Sequence, residues 1–386
     1  MTAMTLNDFD ADAFLRDYWQ RQPLLIRNPW RQWRNPLDPD DLAGLACEPG
    51  IESRLITGTR DALTAEDGPL PEDRFGRLDR APWTLLVQAV DQHVPAVAAL
   101  IEPFRFIPDW RIDDVMVSVA GDGGGVGAHF DHYDVFLVQG LGRRRWQVGA
   151  RCDDDTALLP HDSVRLLADF QPTDEWLLEP GDILYVPPGV AHNGVAVGDN
   201  CMTYSIGFRA PSRGELIGGW ADDLLAGMTD DDRYADPGLR RQANPGEIAP
   251  AAIDRLHALV TEKLGDRAAF ARWFGEYAST PKYPEIDWSP ETAIGVDDLD
   301  AYLAHGVALI RNPASRFSFI AQGAGAVLLF VDGESWLCEG ATATLAVDLC
   351  ADLRLTFDAD RVAPGAPRAL LLDLINAGSL GFDDRD

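Results

Sequence analysis

Three side chains in two separated stretches have the types and spacing to hold a metal ion. His129 and Asp131 form a His-x-Asp pair, and His192 stands well downstream behind a Pro187-Pro188-Gly189 turn. Side chains alternate along a β-strand, so His129 and Asp131 share a face while Phe130 points away. Two imidazoles and one carboxylate on one side of a metal leave about three positions open. That is the facial arrangement of non-heme Fe(II) oxygenases, whose open positions take a cosubstrate and O2. Catalytic zinc sites also use three protein ligands but keep one position for water, so the set favours iron.

A His-x-Asp pair alone is common and reads by default as polar residues at a strand end. The downstream context changes that reading. Gly181-Asp182, four residues, Pro187-x-Gly189, two residues and His192 make a turn–strand–turn that delivers a histidine beside a neighbouring strand. The interval from Asp131 to His192 leaves room for the other strands of a small barrel.

Arg143, Arg144 and Arg145 follow the pair on what reads as a strand. Arg144 shares a face with Trp146 and Val148, whereas Arg143 and Arg145 share one with Gln147. The apolar face should line the barrel, so Arg144 is the inward arginine. A buried cation needs a paired anion. The distal carboxylate of a 2-oxo acid suits a planar guanidinium through two parallel hydrogen bonds.

These stretches resemble a known family. Gly-Gly-Gly-Val-Gly-x-His-x-Asp-x-Tyr-Asp-Val-Phe over residues 123–136, followed by Gly142-Arg-Arg-Arg-Trp146, is similar to the JmjC/cupin 2-oxoglutarate oxygenases. In particular it resembles the bacterial ribosomal oxygenases that hydroxylate an arginine of ribosomal protein L16. Phe14-x-x-x-Tyr18-Trp19 followed by Pro23-Leu-Leu-Ile-Arg27 also resembles the start of JmjC barrels. The likeness is close over the catalytic half and looser to the C-terminus. It implies Fe(II) at His129, Asp131 and His192, and 2-oxoglutarate held by a basic residue fifteen positions after His129, which is Arg144. The expected reaction consumes O2, releases succinate and CO2, and leaves an alcohol on a substrate C–H. Ser118 and Ser205 are further candidates to hold the cosubstrate. Tyr133, Asp122 and Asp134 are candidates at the mouth, the two carboxylates as partners for a substrate guanidinium. Two other readings stay open: a JmjC oxygenase of a different protein residue (histidine hydroxylase or lysine demethylase), and a cupin metalloenzyme without 2-oxoglutarate. The first shares the triad; the second needs no inward Arg144. A non-catalytic docking protein would tolerate loss of a ligand, and all three are present.

Composition bounds the rest. With 386 residues, 46% hydrophobic and 11 Trp, the chain has room for two or three domains and a large core. No apolar run is long enough to span a bilayer, and the first residues lack the layout of a secretion signal. A soluble cytoplasmic protein is expected. Five scattered cysteines without a Cys-x-x-Cys read as free thiols. A net charge of −29 argues against direct nucleic-acid binding; it suits a basic protein partner and equally an acidic surface kept for solubility. No membrane partner is expected.

Stepping along the chain, the spacing predicts a helix closing before Pro23 and then a short strand. A helix follows from Asp38–Pro39, then a strand over 54–57 and a helix over Leu85–Leu100 that contains His93. Strands are expected at 114–120, 133–139, 143–148, 174–178, 182–186 and 201–208. Gly121–Gly127 lacks the Gly-Lys-Ser/Thr of a phosphate loop and reads as a tight turn approaching the metal site. Residues 151–169, with His161 and Asp162, read as a solvated loop. Helical periodicity then marks 215–228, 248–263 and 266–277, and a proline-rich linker spans 281–290. A helix over 296–304 precedes strands near 317–321, 326–330 and 335–338 and helices near 345–352 and 367–374. The expected architecture is mainly β over residues 1–210, a double-stranded β-helix of JmjC/cupin type. The resemblance implies an α-helical homodimerisation domain over 211–285 and an α+β winged-helix-like domain over 286–386. From Asp287 onward there are 16 Asp or Glu against 6 Arg and no Lys, so this wing is not a DNA reader.

Overall fold

The computed structural model describes residues 5–383 apart from 60–61, 79–81, 161–163, 230 and 358–361. His161 and Asp162 therefore lie outside the described residues. Chain contacts divide the protein into two units, Met1–Ala210 and Pro211–Asp386. Among the described residues no helix is long and apolar enough to cross a membrane.

Among the described residues the first unit has nine strands: β1 (Leu24–Ile26), β2 (Ser53–Thr57), β3 (Thr64–Asp67), β4 (Trp83–Val87), β5 (Ile112–Ala120), β6 (Asp134–Arg151), β7 (Pro172–Leu178), β8 (Ile183–Val186) and β9 (Val190–Phe208). They form one antiparallel sheet in the order β1-β8-β6-β9-β5-β4-β2-β3, with β7 on β6. The two long strands organise it. β6 and β9 pair first over residues 134–139 with 203–208 and again over 143–148 with 192–197. The register shifts between these stretches around Gly140 and Gly142, so one strand pair serves two layers.

Alternation along these strands sorts the core. Phe136 and Val138 of β6, Val115, Val117 and Val119 of β5, and Tyr204, Ile206 and Phe208 of β9 face one cluster. That face is covered by Phe14 of α1 (Ala11–Asp17), Leu42 of α2 (Pro39–Leu45) and Val97 of α3 (Pro95–Ala98). Local sequence starts these helices: Asp10 accepts from the amide of Ala13, and Pro39 and Pro95 sit in first turns, where a missing N–H costs nothing. The intervening positions, Val135, Leu137, Trp146 and Val148, join Leu178, Leu184, Val186 and Val190 on the opposite face, which is the barrel interior.

The helix expected over Leu85–Leu100 is not there. Trp83–Val87 is β4, paired with β2 and β5, and only Pro95–Ala98 is α-helical. Leu85 and Val87 face the helix-covered core while Leu86 faces the other way, so a strand's alternation was hidden inside a helical spacing. His93 follows a single 3-10 turn instead of lying in a helix.

The second unit opens with α4 (Arg213–Ala226), whose capping box has Ser212 accepting from the Glu215 amide and Glu215 accepting from the Ser212 amide. It continues with α5 (Pro250–Leu264) and α6 (Arg267–Ser279). Trp220 of α4 packs on Trp273 of α6 with ring centroids 5.6 Å apart. After α7 (Val296–Ala304) come β10 (Leu309–Arg311), β11 (Phe317–Gly323), β12 (Ala326–Val331), β13 (Glu334–Cys338), α8 (Gly340–Ala351), β14 (Arg354–Leu355), α9 (Ala366–Asn376) and β15 (Leu380–Phe382). β11, β12 and β13 form one small sheet and β14, β10 and β15 another, around a core that includes Leu299, Leu329, Leu349 and Leu371. Asp332 and Gly333, both at positive φ, make the tight turn between β12 and β13. α6 packs on β12, where a Cβ on Gly275 would stand 2.2 Å from the Phe330 ring.

Candidate active site

His129 and His192 face each other as an antiparallel bridge whose amides and carbonyls exchange both hydrogen bonds, at 3.0 and 2.8 Å. The Pro-Pro-Gly turn is tied to the same stretch, because the Gly189 amide donates to the carbonyl of Asp131 at 2.7 Å. These backbone bonds hold His-x-Asp alongside the start of β9. Phe130 turns the other way into a cluster with Ala128, Leu167 and Ala191, as strand alternation requires. One ligand atom from each of His129, Asp131 and His192 lies within 4.8 Å of the other two.

The tautomers are set locally. Nδ1 of His129 lies 2.9 Å from the Gly127 carbonyl, and Nδ1 of His192 lies 3.0 Å from the Val190 carbonyl. A carbonyl only accepts, so each Nδ1 carries the proton and each Nε2 keeps its lone pair. Those Nε2 atoms lie 4.0 and 3.6 Å from Oδ2 of Asp131. Burial first, then the neighbouring His129, lowers the His192 pKa to about 4, against the opposing pull of Asp131. The imidazole is thus neutral and available near pH 7.

The glycine loop approaches as expected. The Gly123 amide donates to Ala196 and the Ala196 amide to Gly124, at 3.0 and 2.8 Å, so the loop lies along β9. A Cβ on Gly125 would be 2.3 Å from the carbonyl of Gly194, and one on Gly194 would be 2.6 Å from the Trp146 ring. Loop, strand and ring are stacked without space for a methyl group beside the His192 strand.

Arg144 is only 4% exposed and lies on the interior face with Trp146 and Val148. Its guanidinium carbon is 5.7 Å from the Trp146 ring centroid, and that centroid is 5.9 Å from the His192 ring. Nε and Nη2 of Arg144 are buried without a hydrogen-bond partner. A desolvated cation with two empty donors is matched by a carboxylate, and three converging metal-binding atoms are matched by a divalent ion. The residues present fit iron with a 2-oxo acid. Arg143 and Arg145 are less enclosed, and Arg145 lies 3.5 Å from Glu175 on the outer side.

Ser118 and Ser205 are buried and alternate with the helix-covered core residues of β5 and β9, so both face the interior. Ser205 pairs with Leu137 and Ser118 with Thr203. Thr203 is occupied: its hydroxyl donates to Gln139 at 3.3 Å. Tyr133 is 44% exposed, yet enclosure and then the charges of Asp131, Asp114 and Asp113 raise its pKa. Asp122 is exposed and accepts from the Gly198 amide at 2.7 Å, at the far end of the glycine loop.

Asp134 corrects the sequence reading. It shares parity with Phe136 and Val138, so it lies on the helix-covered face and is 0% exposed. Its carboxylate accepts from Tyr185 Oη at 2.6 Å and Gln20 Nε2 at 2.9 Å, and Nη2 of Arg111 lies 3.3 Å away. Burial raises its pKa against these three donors. It ties the turn after α1 to the barrel and has no open side for a substrate.

Comparison with known proteins agrees with this geometry. Residues 99–216 match the JmjC domain model, and residues 262–381 match a ROXA-like winged helix. The chain is 40% identical over 309 residues to ribosomal protein uL16 3-hydroxylase of Escherichia coli strain K12, covering 80% of this chain and 81% of that protein. The chain belongs to the JmjC ribosomal oxygenase family. A probable ribosomal oxygenase of Haemophilus influenzae is 38% identical over 294 residues, covering 71% of this chain and 70% of the relative. Among solved structures, YcfD, a ribosomal oxygenase from Escherichia coli in complex with cobalt and 2-oxoglutarate, superposes with a TM-score of 0.86. It is 35% identical and the match covers 98% of this chain and 99% of that one. As a JmjC ribosomal oxygenase the chain has the expected architecture: a JmjC barrel of antiparallel strands, a helical region and a winged-helix C-terminal part.

Sequence reasoning missed the Trp146 indole as part of the site, although Arg144 and Trp146 share a strand face. It also missed Gly194, which has no recognisable signal of its own because the ring filling its Cβ space comes from another strand.

Proposed function

We propose that this chain is an Fe(II)- and 2-oxoglutarate-dependent hydroxylase of an arginine in ribosomal protein L16. The observation that carries the reading is a buried guanidinium with two empty donors on the interior face that holds two imidazoles and a carboxylate. His129, Asp131 and His192 hold the metal, each histidine offering Nε2 because Nδ1–H is engaged with its own backbone. Arg144 grips the distal carboxylate of 2-oxoglutarate, with Ser118 and Ser205 lining the same cavity, so the keto acid is fixed in register with the metal ligands. Iron bound there supplies O2 activation linked to oxidative decarboxylation of the keto acid to succinate and CO2, and hydroxylation of a substrate C–H. This chemistry requires no protein general base. The protein's work is to orient, to desolvate and to keep water from the reacting groups. Tyr133, two residues from Asp131, borders the mouth, and Asp122 is the remaining carboxylate candidate for a substrate guanidinium.

The relatives support the substrate: one is named for uL16 3-hydroxylation and another as a probable ribosomal oxygenase. A net charge of −29 steers a basic protein toward the site and disfavours direct nucleic-acid contact, and the cytoplasm is where such a partner is met. In this reading residues 1–210 carry the chemistry, 211–285 self-association and 286–386 packing or docking. Support for a homodimer is the apolar surface of α4 and α5, where Ile217 is 60% exposed and Val260 57%.

The test is intact-mass comparison of ribosomal proteins before and after incubation with the enzyme, Fe(II) and 2-oxoglutarate. L16 should gain the mass of one oxygen atom, located to an arginine by fragmentation. A gain on another protein only, or none across the set, overturns the assignment.

A further inference from the structure

Two other buried indoles of this protein find acceptors. Nε1 of Trp30 donates to the Gly181 carbonyl at 2.9 Å, and Nε1 of Trp220 donates to the Leu264 carbonyl at 3.3 Å. Trp146 differs: it is 5% exposed and its Nε1 is buried with no hydrogen-bond partner. Leaving such a donor unsatisfied is costly, so its persistence points to an acceptor that arrives from outside the chain.

The surroundings restrict what that acceptor is. The orphaned Nε1 of Trp146 and the orphaned Nε and Nη2 of Arg144 come from alternate residues of β6 on one interior face. Trp146 pairs with Gly194, and the six-membered edge of its ring fills the space a Cβ on Gly194 would need. The pyrrole edge, with Nε1, is therefore turned away from β9. The ring stands between the guanidinium, 5.7 Å from its centroid, and the His192 ring, 5.9 Å from it. Three N–H donors on one strand face without an acceptor match a carboxylate, whose two oxygens offer about four lone-pair sites. An Arg fork uses two of them and leaves one within reach of a further donor.

We propose that the Trp146 indole N–H is a third donor to the distal carboxylate of the bound 2-oxo acid, alongside the Arg144 fork. This rests on the reading that Arg144 anchors that acid. The indole then serves twice: its ring packs Arg144 and His192 in fixed relation, and its N–H adds selectivity for a dicarboxylic keto acid.

The test uses full-length protein loaded with zinc in place of iron, which binds the keto acid without turnover. Binding of 2-oxoglutarate is titrated calorimetrically to wild type, Trp146→Phe and Arg144→Met, and the wild-type indole 15N–1H resonances are followed in the same titration. Phe keeps a ring and removes the donor, so Kd should rise about tenfold while zinc affinity stays unchanged. In wild type the Trp146 resonance should move downfield as the acid saturates. A Kd within about twofold of wild type overturns the proposal. A stationary indole resonance also overturns it, even if Kd rises, because the ring alone would then matter. The resonance needs no variant, so poor folding of Trp146→Phe does not blunt the test. An Arg144→Met protein that binds 2-oxoglutarate as wild type does would instead remove the anchor assignment beneath it.

Discussion

At the scale of the residue, the site depends on groups held in the one state that chemistry needs. His192 is neutral because burial and the nearby His129 oppose a second charge, and its Nδ1–H is fixed on the Val190 carbonyl. The sign follows from where the proton goes. The unfolded chain takes a proton on this histidine near pH 6.5, whereas the fold resists it until about pH 4. The fold's own contribution is therefore lost as pH falls through that window and is constant above it. Imidazole 15N spectra of metal-free protein should show His192 as the Nδ1–H tautomer down to about pH 5. Titration at the ordinary histidine value would contradict this account of the ligand.

At the scale of the element, β6 and β9 decide the site because each crosses both layers. Gly125, Gly194 and Trp146 are stacked where these strands meet the glycine loop, with no space for a methyl group. Gly194→Ala should lower stability by about 1–3 kcal/mol through overpacking and weaken 2-oxoglutarate binding by displacing Trp146. A variant with wild-type melting temperature and affinity would show that the stack yields freely. The same strands explain what was readable in advance. Strand parity in the Arg143–Val148 run turned Arg144 inward, and spacing named the three residues that the structure brings together. Asp134 stands out by its charge alone, and its burial under Gln20, Tyr185 and Arg111 depends on contacts distant in the chain. The alternation of Trp83–Val87 was masked by apolar residues that also fit a helix, and only pairing with β2 and β5 decides between them. The small strands β3, β10, β14 and β15 are two to four residues long, too short for any period to show.

At the scale of the whole molecule, the proposed reading gives this acidic chain two kinds of partner, a basic protein and a second copy of itself. Ile217, Ile253 and Val260 are exposed along α4 and α5, where a soluble monomer would expose fewer. Val260→Glu should shift the wild-type mass measured by light scattering from dimer toward monomer while leaving the barrel folded. A wild-type monomer, or an unaffected variant, would remove self-association from this surface. The central claim, that His129, Asp131 and His192 hold iron with a keto acid gripped by Arg144, is tested most directly by anaerobic titration of Fe(II) and then 2-oxoglutarate, read by the visible charge-transfer absorption of an Fe(II)–keto acid chelate. The account predicts a saturable band at one equivalent in wild type and none in Asp131→Ala or His192→Ala. A wild type without the band, or a ligand variant that keeps it, would contradict the account.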